Sequence, residues 1–374
     1  MGAAADEAGA RGGDVLRMEN LDTDLRPPDV AVRATRDAAG CDDANSYLPF
    51  HGQAAMRRAA ARHVGRLAGV AYDPDRQCII TAGGLNGCLA TLLALLAPGD
   101  EVVLSDPTYV GMINCVRIAE GVPVLAPFLW TGGAWRLDVD ALAHAVTPRT
   151  RALFLMSPSM PSGGTLDAAA WDAVARLCRE RDLWLLYNAA MERIVFDGAR
   201  PLHPAVFPGM AERTITIGSA SKELRMIGWR VGWVVGPAAA LADVALVTIS
   251  DVVAPVGIAQ GAVAAALDAA DAERDVAEAV SEWERRRDVL CTELEGLPLR
   301  RPSGGWSALL DAAAMGWTGP EASERLLARG RIAATPMEHW GGPGASGFVR
   351  LVFSNEPVDR LRGLGERVRR SLAQ

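Results

Sequence analysis

The stretch "GSASKELRMIGWR" spans Gly218 to Arg230, and its Lys222 is the only lysine in 374 residues. Lysine and arginine together number 38, so the chain writes all its other positive side chains of this kind as arginine. An amine condenses with an aldehyde and, when neutral, takes up a proton. A guanidinium does neither usefully. One lysine alone is weak evidence, since an arginine-rich chain can retain one by accident on its surface. The surroundings give it weight. The strand-like run "RTITIGS" leads into it, Ser219 and Ser221 flank it, and "GWRVGW" brings Arg230 eight residues later.

Working outward, short apolar runs alternate with helical patterns. "QCIITAGG" (Gln77–Gly84) reads as a strand entering a glycine turn, and "NGCLATLLALLAPGD" as an apolar helix stopped by Pro98, Gly99 and Asp100. "EVVLSDPTY" and "RALFLMSPSMPSGG" read as strands running into turns. "LDAAAWDAVARLCRER" has apolar residues at helical spacing, and "LWLLYN", "RTITIGS" and "VGWVV" are further strands. Strands separated by helices of this length predict βαβ units and a mostly parallel sheet covered on both faces. The fold class is therefore α/β. Ligands of such sheets bind beyond the carboxyl ends of the strands. Gly83 and Gly84, Tyr109, the "SPSMPSG" turn, Asn188 and the Ser219–Lys222 segment all fall at those ends.

From about Ala270 the pattern changes to a long, charged amphipathic helix, then shorter strands such as "GFVRLVFS" (Gly347–Ser354). This predicts a disordered tail over 1–14, a large α/β domain over 46–271, and a smaller α+β domain from 15–45 and 272–374. "RRR" at Arg285–Arg287 reads as a solvated helix face.

The formal net charge is -7, and no basic stripe argues for nucleic acid. The six cysteines form no CxxC pair, and the five histidines form no ligand cluster, so neither a disulfide framework nor a metal is expected. The first residues lack the features of a signal peptide, and no apolar run is long enough to span a bilayer. These features point to a cytoplasmic protein without membrane partners.

Seven motifs, in order, resemble those of the class I/II aminotransferases, the pyridoxal-phosphate-dependent enzymes of fold type I. They are "SYLPFHGQAAMRRAAARHV", "ITAGGLNG", "PGDEVVLSDPTYVGM", "SPSMPSGG", "LLYNAAMERIVFDG" and "SASKELRMIGWRVGW", and "GFVRLVFS" completes the set near the C-terminus. The resemblance runs from about Val15 to the end of the chain. It implies pyridoxal 5'-phosphate as cofactor, with Lys222 as the catalytic residue forming its Schiff base and shuttling protons. It implies that Gly83, Gly84 and Leu85 offer backbone N–H groups to the phosphate, joined by Ser219 and Arg230. Tyr109 would stack on the ring, and Tyr47 would reach the phosphate across a homodimer interface that shares the active site. Arg350 would grip a substrate carboxylate. The plain alternatives are a core tyrosine for Tyr109 and an ordinary surface charge for Arg350.

The departures from the family pattern cluster at the ring. Asn188 stands where the family places an aspartate, while Met160 and Met191 replace its asparagine and tyrosine. Leu21 replaces a glycine facing the substrate. An amide carries no charge to hold a protonated pyridine, and a thioether donates no hydrogen bond. Three readings follow. The first is an aminotransferase acting on an amino acid or other small amino compound, placed in specialised metabolism. The second is elimination, decarboxylation, replacement or cyclisation by the same cofactor. The third is a cofactor-free derivative that binds another ligand. "LWTGGAW" (Leu129–Trp135) and "PMEHWGG" (Pro336–Gly342) border the pocket or merely pack, with packing the commoner use, and His51 and His339 read as structural.

Overall fold

The computed structural model describes residues 1–12 and 14–373. Its largest element is an eight-stranded sheet. The spatial order is Cys78–Thr81, Gly232–Val235, Thr214–Ser219, Trp184–Asn188, Thr150–Met156, Glu101–Asp106, Val122–Thr131 and Ala134–Leu137. The middle of the sheet is parallel from Thr214–Ser219 through Val122–Thr131. Gly232–Val235 runs antiparallel to both its neighbours, and Ala134–Leu137 closes the other edge as a hairpin.

The central strands are apolar on both faces because helices cover both. Alternate side chains separate accordingly. Ile79, Ile217 and Val234 share a core with Cys88 and Leu92 of the helix Gly84–Leu95. Cys78, Ile80, Trp233 and Val235 pack instead with Met56, Ala60 and Val64 of the helix Ala54–Ala68. The helix Ala168–Glu180 is started by Asp167, whose carboxylate accepts the Ala170 N–H at 2.9 Å. Such a cap satisfies one of the orphan donors of the first turn.

A second, antiparallel sheet joins Leu299–Arg300, Ser307–Asp311, Phe348–Val352 and Thr335–Pro336. The helix Ala272–Glu293 precedes it in the chain. Leu16–Arg17 pairs in parallel with Ile332–Ala333, so the N-terminal segment joins this C-terminal region. Among the described residues no helix is long and apolar enough to cross a membrane.

Two local expectations differ from the structure. Gly2–Ala10, inside the expected tail, form a helix. Its buried Ala5 packs with Val15 and Ala333, and Arg331 Nη1 donates to the Ala8 carbonyl at 2.9 Å. A small apolar face and one borrowed donor dock a segment that looks featureless in sequence. The Arg285–Arg287 run is not a solvated face. Arg285 is exposed, but Arg286 and Arg287 are 2% and 0% exposed. Arg286 donates to Asp24 and to the Ser354 carbonyl, and Arg287 to Asp197, Glu284 and the Pro302 carbonyl. Consecutive helix positions differ by about 100° in direction, so a charge run reaches more than one face. A buried guanidinium is tolerated where carboxylates and carbonyls replace its water.

Candidate active site

The parallel strands end at one side of the large sheet, and a cavity of about 220 Å³ lies there. Three of its lining residues, Met156, Asn188 and Ser219, are the last residues of the strands Thr150–Met156, Trp184–Asn188 and Thr214–Ser219. The rest of the lining includes Leu21, Gly84, Leu85, Tyr109, Met160 and Met191, with Lys222 and Arg230. Residues spread over some two hundred positions of sequence thus converge, as they do at the carboxyl edge of a parallel sheet.

One end of the cavity is built for an anion. The helix Gly84–Leu95 begins there with Gly83 as its cap and no side-chain cap bond. Its first backbone N–H groups have no intrahelical acceptor, and the helix dipole adds positive potential. Gly83 has φ 93°, and a Cβ on it would lie 2.5 Å from Arg230 Nη2. Only glycine brings this backbone so close to the guanidinium. A Cβ on Gly84 would meet Ser219 Cβ at 3.2 Å. Arg230 is steadied by the Ile227 carbonyl at 2.9 Å and Ser221 Oγ at 3.4 Å. Helix N–H groups, a serine hydroxyl and an arginine, with no carboxylate in the lining, fit a phosphate dianion.

Lys222 stands beside this cradle. Its Nζ donates to the Leu21 carbonyl at 2.9 Å and lies 4.9 Å from the centre of the Trp306 ring. Its ammonium is pushed down from 10.5 to about 8, chiefly by burial; Asp22 opposes the shift, and Arg350 and Arg230 contribute to it. The amine is therefore neutral in a sizeable fraction of molecules near pH 8, as a nucleophile toward a carbonyl must be. A phosphate cradle beside such an amine fits a phosphorylated aldehyde.

Tyr109 caps the helix Val110–Ile118 and lines the cavity, with its ring packed over Gly111. Burial raises its phenol. Asn188 Oδ1 accepts the Ala190 N–H at 3.2 Å. Met160 and Met191, 3% and 1% exposed, share this part of the wall.

Arg350 is not an ordinary surface charge. It is 4% exposed on the strand Phe348–Val352, and burial pushes its guanidinium down to about 10. It donates to the Glu19 carbonyl at 2.6 Å and to Thr335 Oγ1 at 3.1 Å. Its Nη1 approaches Met160 Sδ at 3.7 Å, its centre lies 4.7 Å from the Trp340 ring, and among the described residues its Nε finds no partner. It is not itself among the lining residues of the cavity but backs onto Met160 in the wall. Tyr47 is 89% exposed and does not line the cavity in the single chain.

Several neighbours of the site were not singled out in the sequence. Met156, Ala190 and Ile227 line the cavity, and Trp306 lies against Lys222; Ser221, which flanks the lysine in sequence, lines it too. The strand-end position of Met156 was the available clue. The "PMEHWGG" segment does more than pack. Trp340 touches both Tyr109, at 5.9 Å between ring centres, and Arg350. Its carbonyl accepts the Thr108 N–H at 2.9 Å, and Gly342 N–H bonds Asp106. "LWTGGAW" packs as a hairpin, with Trp135 against Phe128 and Trp130. Neither His51 nor His339 lines the cavity.

Residues 16–367 match the family model for aminotransferase class I and II. An arginine–pyruvate transaminase of Pseudomonas aeruginosa is 35% identical over 93% of this chain and 88% of its own. The aspartate/prephenate aminotransferase of Thermus thermophilus is 32% identical over 100% of this chain and 94% of its own. The solved structure of an N-succinyldiaminopimelate aminotransferase from Mycobacterium tuberculosis superimposes with a TM-score of 0.91 at 34% identity, covering 100% and 95% of the two chains.

Proposed function

Because the chain belongs to the aminotransferase class I and II family, whose fold type I members use pyridoxal 5'-phosphate, we propose that it moves the amino group of a small amino acid-like substrate at the Lys222 cavity. The single observation that carries this reading is the only lysine of the chain lying beside an anion cradle at the strand ends. Bound pyridoxal 5'-phosphate supplies an aldehyde that condenses with amines and a conjugated ring that takes up electrons when a bond at the amine carbon breaks.

The chain's own residues divide the remaining work. The N–H groups of Gly84 and Leu85, Ser219 and Arg230 would bind the phosphate, and the left-handed turn at Gly83 lets them close around it. Lys222 would hold the cofactor covalently through Nζ and afterwards move a proton at that atom. Tyr109 would orient the ring by stacking, and Met160, Asn188 and Met191 would form the rest of its surround. Arg350, with an unpaired Nε, would orient a substrate carboxylate; Met160 stands between it and the cavity. Leu21 and Trp340 would exclude water on the substrate side. Tyr47 requires a second copy of the chain to reach a phosphate, so this reading includes a homodimer, in the cytoplasm.

The names of the relatives span basic, acidic and aromatic substrates, and do not select one for this chain. A second reading is favoured by the apolar wall of Met156, Met160 and Met191: cofactor chemistry without a keto-acid partner, on a specialised metabolite. The test begins with borohydride reduction of the protein incubated with pyridoxal 5'-phosphate. The added mass should sit on the peptide carrying Lys222. A panel of amino acids with a keto acid should then give stoichiometric amino-group exchange. Turnover without any keto acid would favour the second reading, and no mass on Lys222 would overturn both.

A further inference from the structure

We propose that Asn188 holds the cofactor ring with its nitrogen unprotonated, by donating a hydrogen bond from Nδ2, and that Met160 and Met191 leave the ring oxygen without donors from those two positions. The inference rests on the reading above, that the cavity takes pyridoxal 5'-phosphate. Its own observation is the direction of one amide. Asn188 Oδ1 accepts the Ala190 N–H at 3.2 Å. The carbonyl side is therefore occupied, and the NH2 group is turned away from it. Among the described residues, no hydrogen-bond partner is found for that NH2 group, and Asn188 lines the cavity. A group presenting N–H bonds suits an acceptor. A neutral pyridine nitrogen is an acceptor, whereas a pyridinium N–H would meet another N–H.

The charges around the cavity point the same way. Its charged lining residues are Lys222 and Arg230, both cationic when protonated, and Arg350 adds a third cation behind Met160. Among the described residues no carboxylate lines it. Asp22 acts on Lys222 but is outside the lining. Glu192, next to Met191, is pushed well above the ordinary carboxyl range by burial and by Glu223, and it is outside the lining. Burial keeps the Tyr109 phenol neutral. The phosphate itself would offset Arg230 and the helix N-terminus, but among the described residues the lining offers no carboxylate to hold a protonated ring nitrogen. Methionine sulfur is at most a weak acceptor.

A ring held this way draws electrons less strongly, so the chain should favour steps that demand less of the ring. The experiment uses the full chain loaded with cofactor labelled with nitrogen-15 in the ring. The nitrogen shift and the absorbance are followed between about pH 6 and 9, the range that brackets ordinary amine and imidazole titrations. The expected result is the shift of a free pyridine throughout. Asn188→Asp should bring the titration midpoint up into this range, so that a pyridinium shift is seen at its acid end. Asn188→Ala, which adds no charge, should leave the nitrogen unprotonated and weaken cofactor binding roughly two- to tenfold, the worth of one hydrogen bond. A pyridinium shift in the unmodified protein would overturn the proposal, as would a free-pyridine shift kept by Asn188→Asp throughout the range. Borohydride mapping on the same samples separates the two levels. Mass on Lys222 with a pyridinium nitrogen sinks this inference alone, while no mass on Lys222 sinks the cofactor reading and this inference with it.

Discussion

Replacing Lys222 by methionine, K222M, should change how stability depends on pH in the cofactor-free protein. The amine falls from 10.5 to about 8 on folding, chiefly by burial. Each unit of difference is worth about 1.4 kcal/mol, so the protonated amine costs the folded state about 3 kcal/mol, to within a unit. The sign follows from the two values. Below about pH 8 the group is protonated in both states and the cost is present in full. Above 10.5 it is neutral in both and the cost is gone. Between them the unfolded chain binds more protons, so stability rises with pH. A variant with nothing to titrate at this position lacks that rise. Urea unfolding of both proteins at steps from pH 7 to 10.5 gives two curves, and their difference isolates the amine because other groups largely cancel. The difference should be flat near pH 7 and then move by about 3 kcal/mol in favour of the unmodified chain. Parallel curves across the whole range would refute the claim that folding depresses this lysine. The K222M control also tests whether the bond to the Leu21 carbonyl and the contact with Trp306 already offset the burial.

Two further outcomes follow. Arg230→Ala should weaken pyridoxal 5'-phosphate at least tenfold, since a charge-assisted bond is worth about 1.5–3 kcal/mol, and should leave pyridoxal without its phosphate nearly unaffected; absorbance titration with both compounds checks it, and equal losses for the two would remove Arg230 from the phosphate end. Arg287→Ala should destabilise the fold by about 3 kcal/mol, because it empties a fully buried site and strands the acidic groups around it, although Asp197 and Asp288 are partly solvated and rehydrate; urea unfolding checks it, and a loss under 1 kcal/mol would mean the run behaves as a surface after all.

The local chemistry of this chain was legible because it is written in contiguous runs. Apolar runs such as "RALFLM" and "LWLLYN" become the buried strands Thr150–Met156 and Trp184–Asn188. "ITAGGLNG" already contains both the left-handed glycine and the helix start that make an anion cradle. Lys222 stood out by composition alone. Periodicity, turn chemistry and residue identity act over a few positions, so one sequence suffices to state them, and seven such runs in order sufficed to suggest the family. The tertiary structure decided what depends on residues far apart meeting. It buried Arg286 and Arg287 against Asp24 and Asp197, which no local pattern pairs with them. It set Trp306 against Lys222 and Trp340 between Tyr109 and Arg350. It drew Arg350 behind Met160, out of the cavity wall. It turned the Asn188 amide through a bond to the Ala190 backbone, whose direction depends on how the chain leaves the strand. Burial, side-chain direction and the field at an ionisable group are sums over neighbours in space, and those neighbours are known only when the chain has folded.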